Sequence, residues 1–286
     1  MSLKHQLLAT SYPVLEFCNS FSRYTRLNSQ GRLRVLVYHD IAPTEMGKFA
    51  EQMRWLAKKW KFVDAYTFDA MISGDEPVVG DNLLLTFDDG FASNRIVAEK
   101  ILHDMGIKAI FFVVSGFVDI NGIDDCHAFI AKGIRADINP SLMPTHWNNM
   151  NWEDLEYLLD AGHTIGAHTA THARLSELND DAELEKEIIS SADLLDAKLG
   201  INVDHFAFTF GNFASLSCDA LNIAKRRFKY IYTSLRGGNK HSNISPLLIY
   251  RDTITPQDNN YLTGAFLAGG ADLAYRNAKK AINSCV

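Results

Sequence analysis

Short apolar runs that close on ionisable residues are the feature that most constrains this chain. Seven stretches rich in aliphatic, β-branched and aromatic residues read as buried strands: 33–38, 83–87, 109–114, 163–168, 205–208, 230–233 and 247–250. Longer segments of helical period lie between several of them. The clearest is 181–199, where Leu184, Ile188, Leu195 and Leu199 share one face. Gly200 is suited to end that helix, and Asp180 with Glu183 resembles a capping box. Further helices are predicted over 93–105, before Gly106, and from 152 to 161, before Gly162. Such alternation argues for a parallel α/β architecture. About seven strands predict a barrel, whole or incomplete.

The residues after each strand carry the functional argument. The first strand is followed by His39 and Asp40, and the second by Asp88, Asp89 and Gly90. The fourth ends at His168 with His172 just beyond, and the last is followed by Arg251 and Asp252. In α/β barrels the active site is built at the C-terminal strand ends, so these residues are predicted to share one face.

Composition bounds what that face can serve. The chain has 286 residues, 47% of them hydrophobic, enough for a large core, and no linker or repeat divides it. The expected layout is a helical extension over 1–30 and one domain over 31–286. A net charge of −6, from 28 basic and 34 acidic residues, leaves no electrostatic footprint for nucleic acid. Cys18, Cys126, Cys218 and Cys285 form no CxxC pair and read as free thiols of a reducing compartment. The N-terminal apolar run is interrupted by Ser11, Tyr12, Pro13 and Glu16, which disfavours a signal peptide, and no segment is long and apolar enough to span a bilayer. Residues 3–21 read as an amphipathic helix, packed on the domain or resting on a membrane surface. A cytoplasmic protein, at most peripheral to the inner membrane, is the expectation.

His168 and His172 stand at i and i+4, which on a helical turn puts both imidazoles on one side. Two imidazoles and a carboxylate suit zinc or another divalent first-row metal. Asp88 and Asp89 supply carboxylates at the mouth of a core strand, and adjacent residues leaving a strand point in different directions. One can bind a metal while the other reaches its water. An Asp-Asp-Gly turn and surface histidines are the bland alternatives.

At these residues the chain resembles the NodB-type polysaccharide deacetylases, carbohydrate esterase family four. Thr86-Phe87-Asp88-Asp89-Gly90 matches the family's first motif, and His168-Thr169-Ala170-Thr171-His172 matches its second, His-Ser/Thr-x-x-His. The resemblance runs from about residue 33 to about 254. It implies a deformed (β/α) barrel and a divalent metal held by Asp89, His168 and His172. Zinc is the first choice, with cobalt, nickel or manganese as alternatives. It also implies Asp88 as general base. The family's Arg-x-Pro-Tyr-Gly motif corresponds here to Ala207-Phe208-Thr209-Phe210-Gly211. This looks like a branch with Phe-Ala-Tyr-Pro-Phe-Gly, except that Thr209 replaces Pro. The Arg that normally contacts the base is missing, while the Phe210 N–H remains a candidate oxyanion donor. The late Leu-x-His of many members is also missing. The same branch carries a Tyr-His pair, here Tyr38-His39, which makes His39 the candidate general acid.

The implied function is hydrolysis of N-acetyl groups on an amino-sugar glycan or glycan precursor. Alternatives are an amidase of the same superfamily acting on a non-sugar amide, a carbohydrate-binding pseudoenzyme, and a non-haem iron oxygenase. The last usually pairs His-x-Asp/Glu, which is absent around Asp89. The other histidines, His5, His103, His127, His146, His163, His205 and His241, read as solvated or structural. Residues 119–150 read as an insertion in which His127 and His146 could border the site. Trp147 and Trp152 are candidates to stack on a sugar, with core packing favoured for Trp152.

Overall fold

The computed structural model describes residues 3–24, 31–239 and 245–286. His241, and the 25–30 stretch at the expected domain boundary, lie outside the described residues. The strands are β1 (Arg32–Tyr38), β2 (Lys61–Val63), β3 (Asp81–Phe87), β4 (Ala109–Val113), β5 (Thr164–Ala167), β6 (His205–Ala207), β7 (Tyr230–Tyr232) and β8 (Asp252–Thr253). The α-helices are α1 (Leu3–Tyr24), α2 (Met46–Ala57), α3 (Ala65–Ser73), α4 (Ala92–Val97), α5 (Ile123–Phe129), α6 (Trp152–Asp160), α7 (Asp181–Leu199), α8 (Cys218–Ala224), α9 (Asn260–Leu267) and α10 (Arg276–Asn283).

All strand pairings are parallel, in the order β7-β6-β5-β4-β3-β1-β8, with β2 alongside the first half of β3. The sheet curls into a deformed, incomplete barrel. Its two edges approach at the bridge between Tyr232 and Ile249. Strands covered on both faces must be apolar on both. Accordingly Leu36, Tyr38, Leu83, Leu85, Phe111 and Phe206 face outward into one large cluster with Phe49, Met53, Leu158, Leu184, Ile188 and Leu195 of the helices. Their neighbours Leu33, Val35, Leu84, Ile110, Phe112 and Tyr232 face inward, where Phe68, Met71 and Ile72 of α3 join them. Asp69 of α3 also reaches His205 at the start of β6, at 3.4 Å. So α3 plugs the N-terminal end of the barrel and the C-terminal end is left for chemistry.

α7 occupies the predicted 181–199 and ends on Gly200 in the left-handed conformation. Asp180 caps it by accepting from the Ala182 N–H, without the predicted capping box. A capping box does form at α6, between Asn151 and Asp154. The predicted 93–105 helix is α4 continued by a π turn over Ala98–Leu102. Two strand readings need correction. β2 was not predicted, because three residues after a helix carry no periodicity. The last strand is Asp252–Thr253, not 247–250. In the predicted run Ile249 instead bonds to β7, so the chain crosses from one barrel edge to the other before β8 pairs with β1.

α1 packs along α9. The Tyr12 ring lies where a side chain on Gly264 would stand, and Asn19 donates to the Ala268 carbonyl at 3.1 Å. The expectation of four unpaired cysteines is wrong: Cys218 at the start of α8 is disulfide-bonded to Cys285, with Cα atoms 5.3 Å apart. Folding brings together two thiols 67 positions apart, which sequence spacing cannot reveal. Cys18 and Cys126 are free. Among the described residues no helix is long and apolar enough to cross a membrane.

Candidate active site

β3 delivers its two carboxylates in opposite senses. Asp88 continues the inward face of the strand, and its N–H donates to the Tyr38 carbonyl at 2.9 Å. Asp89 then turns into the left-handed region, φ +77°, followed by Gly90 at +95°. That reversal places both acids, each buried, at the open barrel end.

Arg251 supplies the arginine that the third motif lacks. It is fully buried and holds Asp88 bidentately, Nη1 to Oδ1 and Nη2 to Oδ2, both at 2.7 Å. Its Nε donates to the Thr233 carbonyl at 3.0 Å, fixing the guanidinium plane. Burial pushes the Asp88 carboxyl up, but the charge of Arg251 and its paired hydrogen bonds outweigh it and hold Asp88 below the usual carboxylate range.

The two motif histidines do not sit on a helical turn, contrary to the i,i+4 expectation. Residues 168–172 form a loop in which Thr169 and His172 are both left-handed, with φ of +65° and +61°. The Thr169 hydroxyl accepts from the His172 N–H at 3.0 Å and draws the turn closed. His168 Nδ1 faces the Ala207 carbonyl at 2.8 Å and His172 Nδ1 faces the Gly133 carbonyl at 3.2 Å. A carbonyl only accepts, so each Nδ1 carries a proton, and in the neutral ring each Nε2 presents a lone pair. These lone pairs converge on Asp89, with Nε2 to Oδ1 distances of 3.5 Å from His168 and 3.3 Å from His172. One ligand atom from each of the three residues lies within 4.8 Å of the others. Asp89 Oδ1 is buried without a hydrogen-bond donor. An orphaned carboxylate oxygen facing two imidazole lone pairs fits a divalent cation and would be costly without one.

The altered third motif keeps its shape through other contacts. Thr209, in place of Pro, donates to the Ala173 carbonyl at 2.5 Å. Phe210 is left-handed, φ +57°, with its ring 4.7 Å from that of His172 and under the Arg174 guanidinium at 4.0 Å. Its N–H has no acceptor among the described residues. His39 is exposed at the end of β1 and lines a cavity of about 450 Å³ with Asp89, Trp147, His172 and Phe210. Its preceding Tyr38 points the other way, into the outer core, and donates to Gln52.

The 119–150 insertion forms one wall of this cavity. Asp40 Oδ2 bonds both His146 and the Trp147 indole, each at 3.0 Å, so the residue after His39 anchors that wall. His127 faces the Pro144 carbonyl and Trp152 packs on the core, both away from the cavity.

Known proteins are similar to this chain in sequence or in fold. A sequence profile of the polysaccharide deacetylase family matches residues 75–228. YxkH of Bacillus subtilis (strain 168), named for a polysaccharide deacetylase, is 23% identical over 181 residues; the match covers 61% of this chain and 55% of that relative, so the chain spans about half its length. The fold is shared with IcaB from Ammonifex degensii, at TM-score 0.66 and 21% identity over 84% of this chain and 98% of that one. It is also shared with the deacetylase PplD of Streptococcus pyogenes, at TM-score 0.64 and 20% identity over 82% of this chain and 97% of that one. With more than half of its length matched and both signature motifs converging in space, this chain belongs to the polysaccharide deacetylase family.

Proposed function

We propose that this protein is a metal-dependent hydrolase that removes N-acetyl groups from an amino-sugar glycan or glycan precursor. The observation that carries this reading is the orphaned Asp89 oxygen facing two imidazole lone pairs, beside an Asp88 that Arg251 keeps ionised. Asp89, His168 and His172 would hold the metal, zinc by preference, since imidazole suits it and three protein ligands leave a position open. When bound, such a metal activates water and polarises a carbonyl. The residues of the chain do the rest. Asp88 takes a proton from the attacking water, and the two-point grip of Arg251 fixes the carboxylate plane while it does so. The unpaired Phe210 N–H meets the oxyanion that forms on the acetyl oxygen. His39 gives a proton to the departing nitrogen, which is too basic to leave as an anion. The Trp147 indole offers a flat apolar face for a sugar ring. A pure binding role would need neither the ionised Asp88 nor its arginine.

Acetate release from N-acetylated glycans, their precursors and non-sugar amides tests the reading. Turnover confined to acetylated sugars supports it; turnover confined to non-sugar amides assigns the chain to the amidases of its superfamily.

The location has a separate basis. Leu3, Leu7, Val14, Phe17 and Phe21 stand exposed along the outer face of α1, which supports peripheral membrane contact through residues 3–21. The cytoplasmic expectation loses one of its two grounds, because disulfides such as Cys218–Cys285 persist in oxidising surroundings.

A further inference from the structure

The loop that carries both histidines is held from a residue no motif contains. Glu187 lies in the second turn of α7, on the buried face that otherwise carries Leu184, Ile188, Ser191, Ala192 and Leu195. It is 8% exposed and has no cationic partner among the described residues. Its carboxylate is instead filled by the loop: Oε2 accepts from the Ala170 N–H at 3.1 Å and the Thr171 N–H at 2.9 Å, and Oε1 accepts from the Thr171 hydroxyl at 2.8 Å.

We infer that Glu187 is a positioning residue that fixes the 168–172 loop in its ligand-presenting shape. The loop needs left-handed backbone at Thr169 and again at His172, which non-glycine residues adopt only where their surroundings over-determine it. Glu187 is half of that determination. Two successive N–H groups aimed at one point form a concave anion site, and the carboxylate fills it with charge-assisted bonds. The other half comes from the opposite side, where Ser115 and Gly116 donate to the Thr169 and Ala170 carbonyls at 3.1 and 2.9 Å. Clamped between α7 and the end of β4, the turn cannot open, and the His168 and His172 side chains stay aimed at Asp89. Loss of the carboxylate would strip both N–H groups of their charge-assisted partner and free the turn to relax.

The inference rests on the metal reading of that site, so its test separates the two. Zinc affinity is measured by calorimetry for the full chain and for Glu187→Ala, Glu187→Gln and Leu195→Ala, and amide exchange over 169–172 is followed in metal-free protein. Glu187→Ala should weaken zinc binding about 10- to 100-fold, the range for outer partners of metal ligands, and change the visible spectrum of bound cobalt. Glu187→Gln, which can keep an oxygen on the two N–H groups, should restore affinity to within a few-fold. Leu195→Ala, on the same helix face but remote from the loop, should lower stability without moving zinc affinity. Faster exchange at residues 170 and 171 in Glu187→Ala supports the clamp even without metal. Unchanged zinc affinity or unchanged exchange in a folded Glu187→Ala variant would overturn the role. Absence of zinc binding by the unaltered chain would instead overturn the metal reading, and the exchange measurement would still judge Glu187.

Discussion

At the scale of single residues, Asp88 and Asp89 differ only in where the backbone sends them. Asp88 stays bonded to the Tyr38 carbonyl at the end of β1 and meets Arg251; Asp89 turns left-handed and meets the imidazoles. Asp88→Asn should therefore retain metal and lose turnover by ~10²–10⁴-fold, the usual loss for a general base. Near-normal kcat on the substrate identified for the unaltered protein would refute its role. His39 sits on the cavity wall with Asp89 and His172. His39→Ala should keep metal and fold, lose most activity on an amide, and lose less on an ester with a good leaving group. Equal losses on both would show that His39 is not the acid. The sequence placed Asp88, Asp89, His168, His172, His39 and Phe210 at this end of the barrel, because motif spacing and strand ends are local signals. Arg251 also stood at a strand end, but its partner lies 163 positions away. Only the curl of the sheet reveals that pairing. Glu187 gave no signal at all, since a Glu on a helix that begins with acidic residues reads as surface charge.

Elements were legible to the extent that their periodicity was long. The nineteen residues of α7 carry five helical turns of pattern and fall where predicted. The three residues of β2 carry none. The His-x-x-x-His spacing misled because two distinct conformations bring i and i+4 together, a helical turn and a loop closed by Thr169. For α1, the packing reading holds for one face, where Ala9 and Tyr12 are buried toward the body, while Leu7, Val14, Phe17 and Phe21 face out and are the residues through which membrane contact is proposed. Phe17→Glu and Phe21→Glu should together abolish co-sedimentation with vesicles of phosphatidylcholine and phosphatidylglycerol and leave catalysis on a soluble substrate unchanged. No vesicle binding by the unaltered protein, with a dimer in sedimentation equilibrium that the same changes dissolve, would assign that face to a second copy instead.

For the whole molecule, parallel strands buried on both faces and a plugged N-terminal end leave one place for chemistry, the C-terminal end of the barrel. The barrel class was legible because about seven apolar runs alternate with helices, and an incomplete barrel was among the forms expected; the crossing from β7 to β8 was not legible, as it depends on which edges meet. The Cys218–Cys285 bond ties the C-terminus to α8 across 67 positions. A loop of that length is worth about 4 kcal/mol in chain-entropy terms. Cys285→Ser should lower unfolding free energy by up to that amount and leave the barrel-end site active. Equal stability of the oxidised and Cys285→Ser proteins in denaturant would show that the bond does not constrain the unfolded chain. The central claim is that three buried ligands at the barrel end hold one metal on which deacetylation depends. Acetate release from an N-acetylated amino-sugar oligomer, measured while chelator-stripped protein is titrated with zinc, tests it most directly. Activity should be absent at first, rise linearly and stop at one equivalent, with no rise in Asp89→Ala or His168→Ala. Full activity in the stripped protein, or in either variant, would contradict the account.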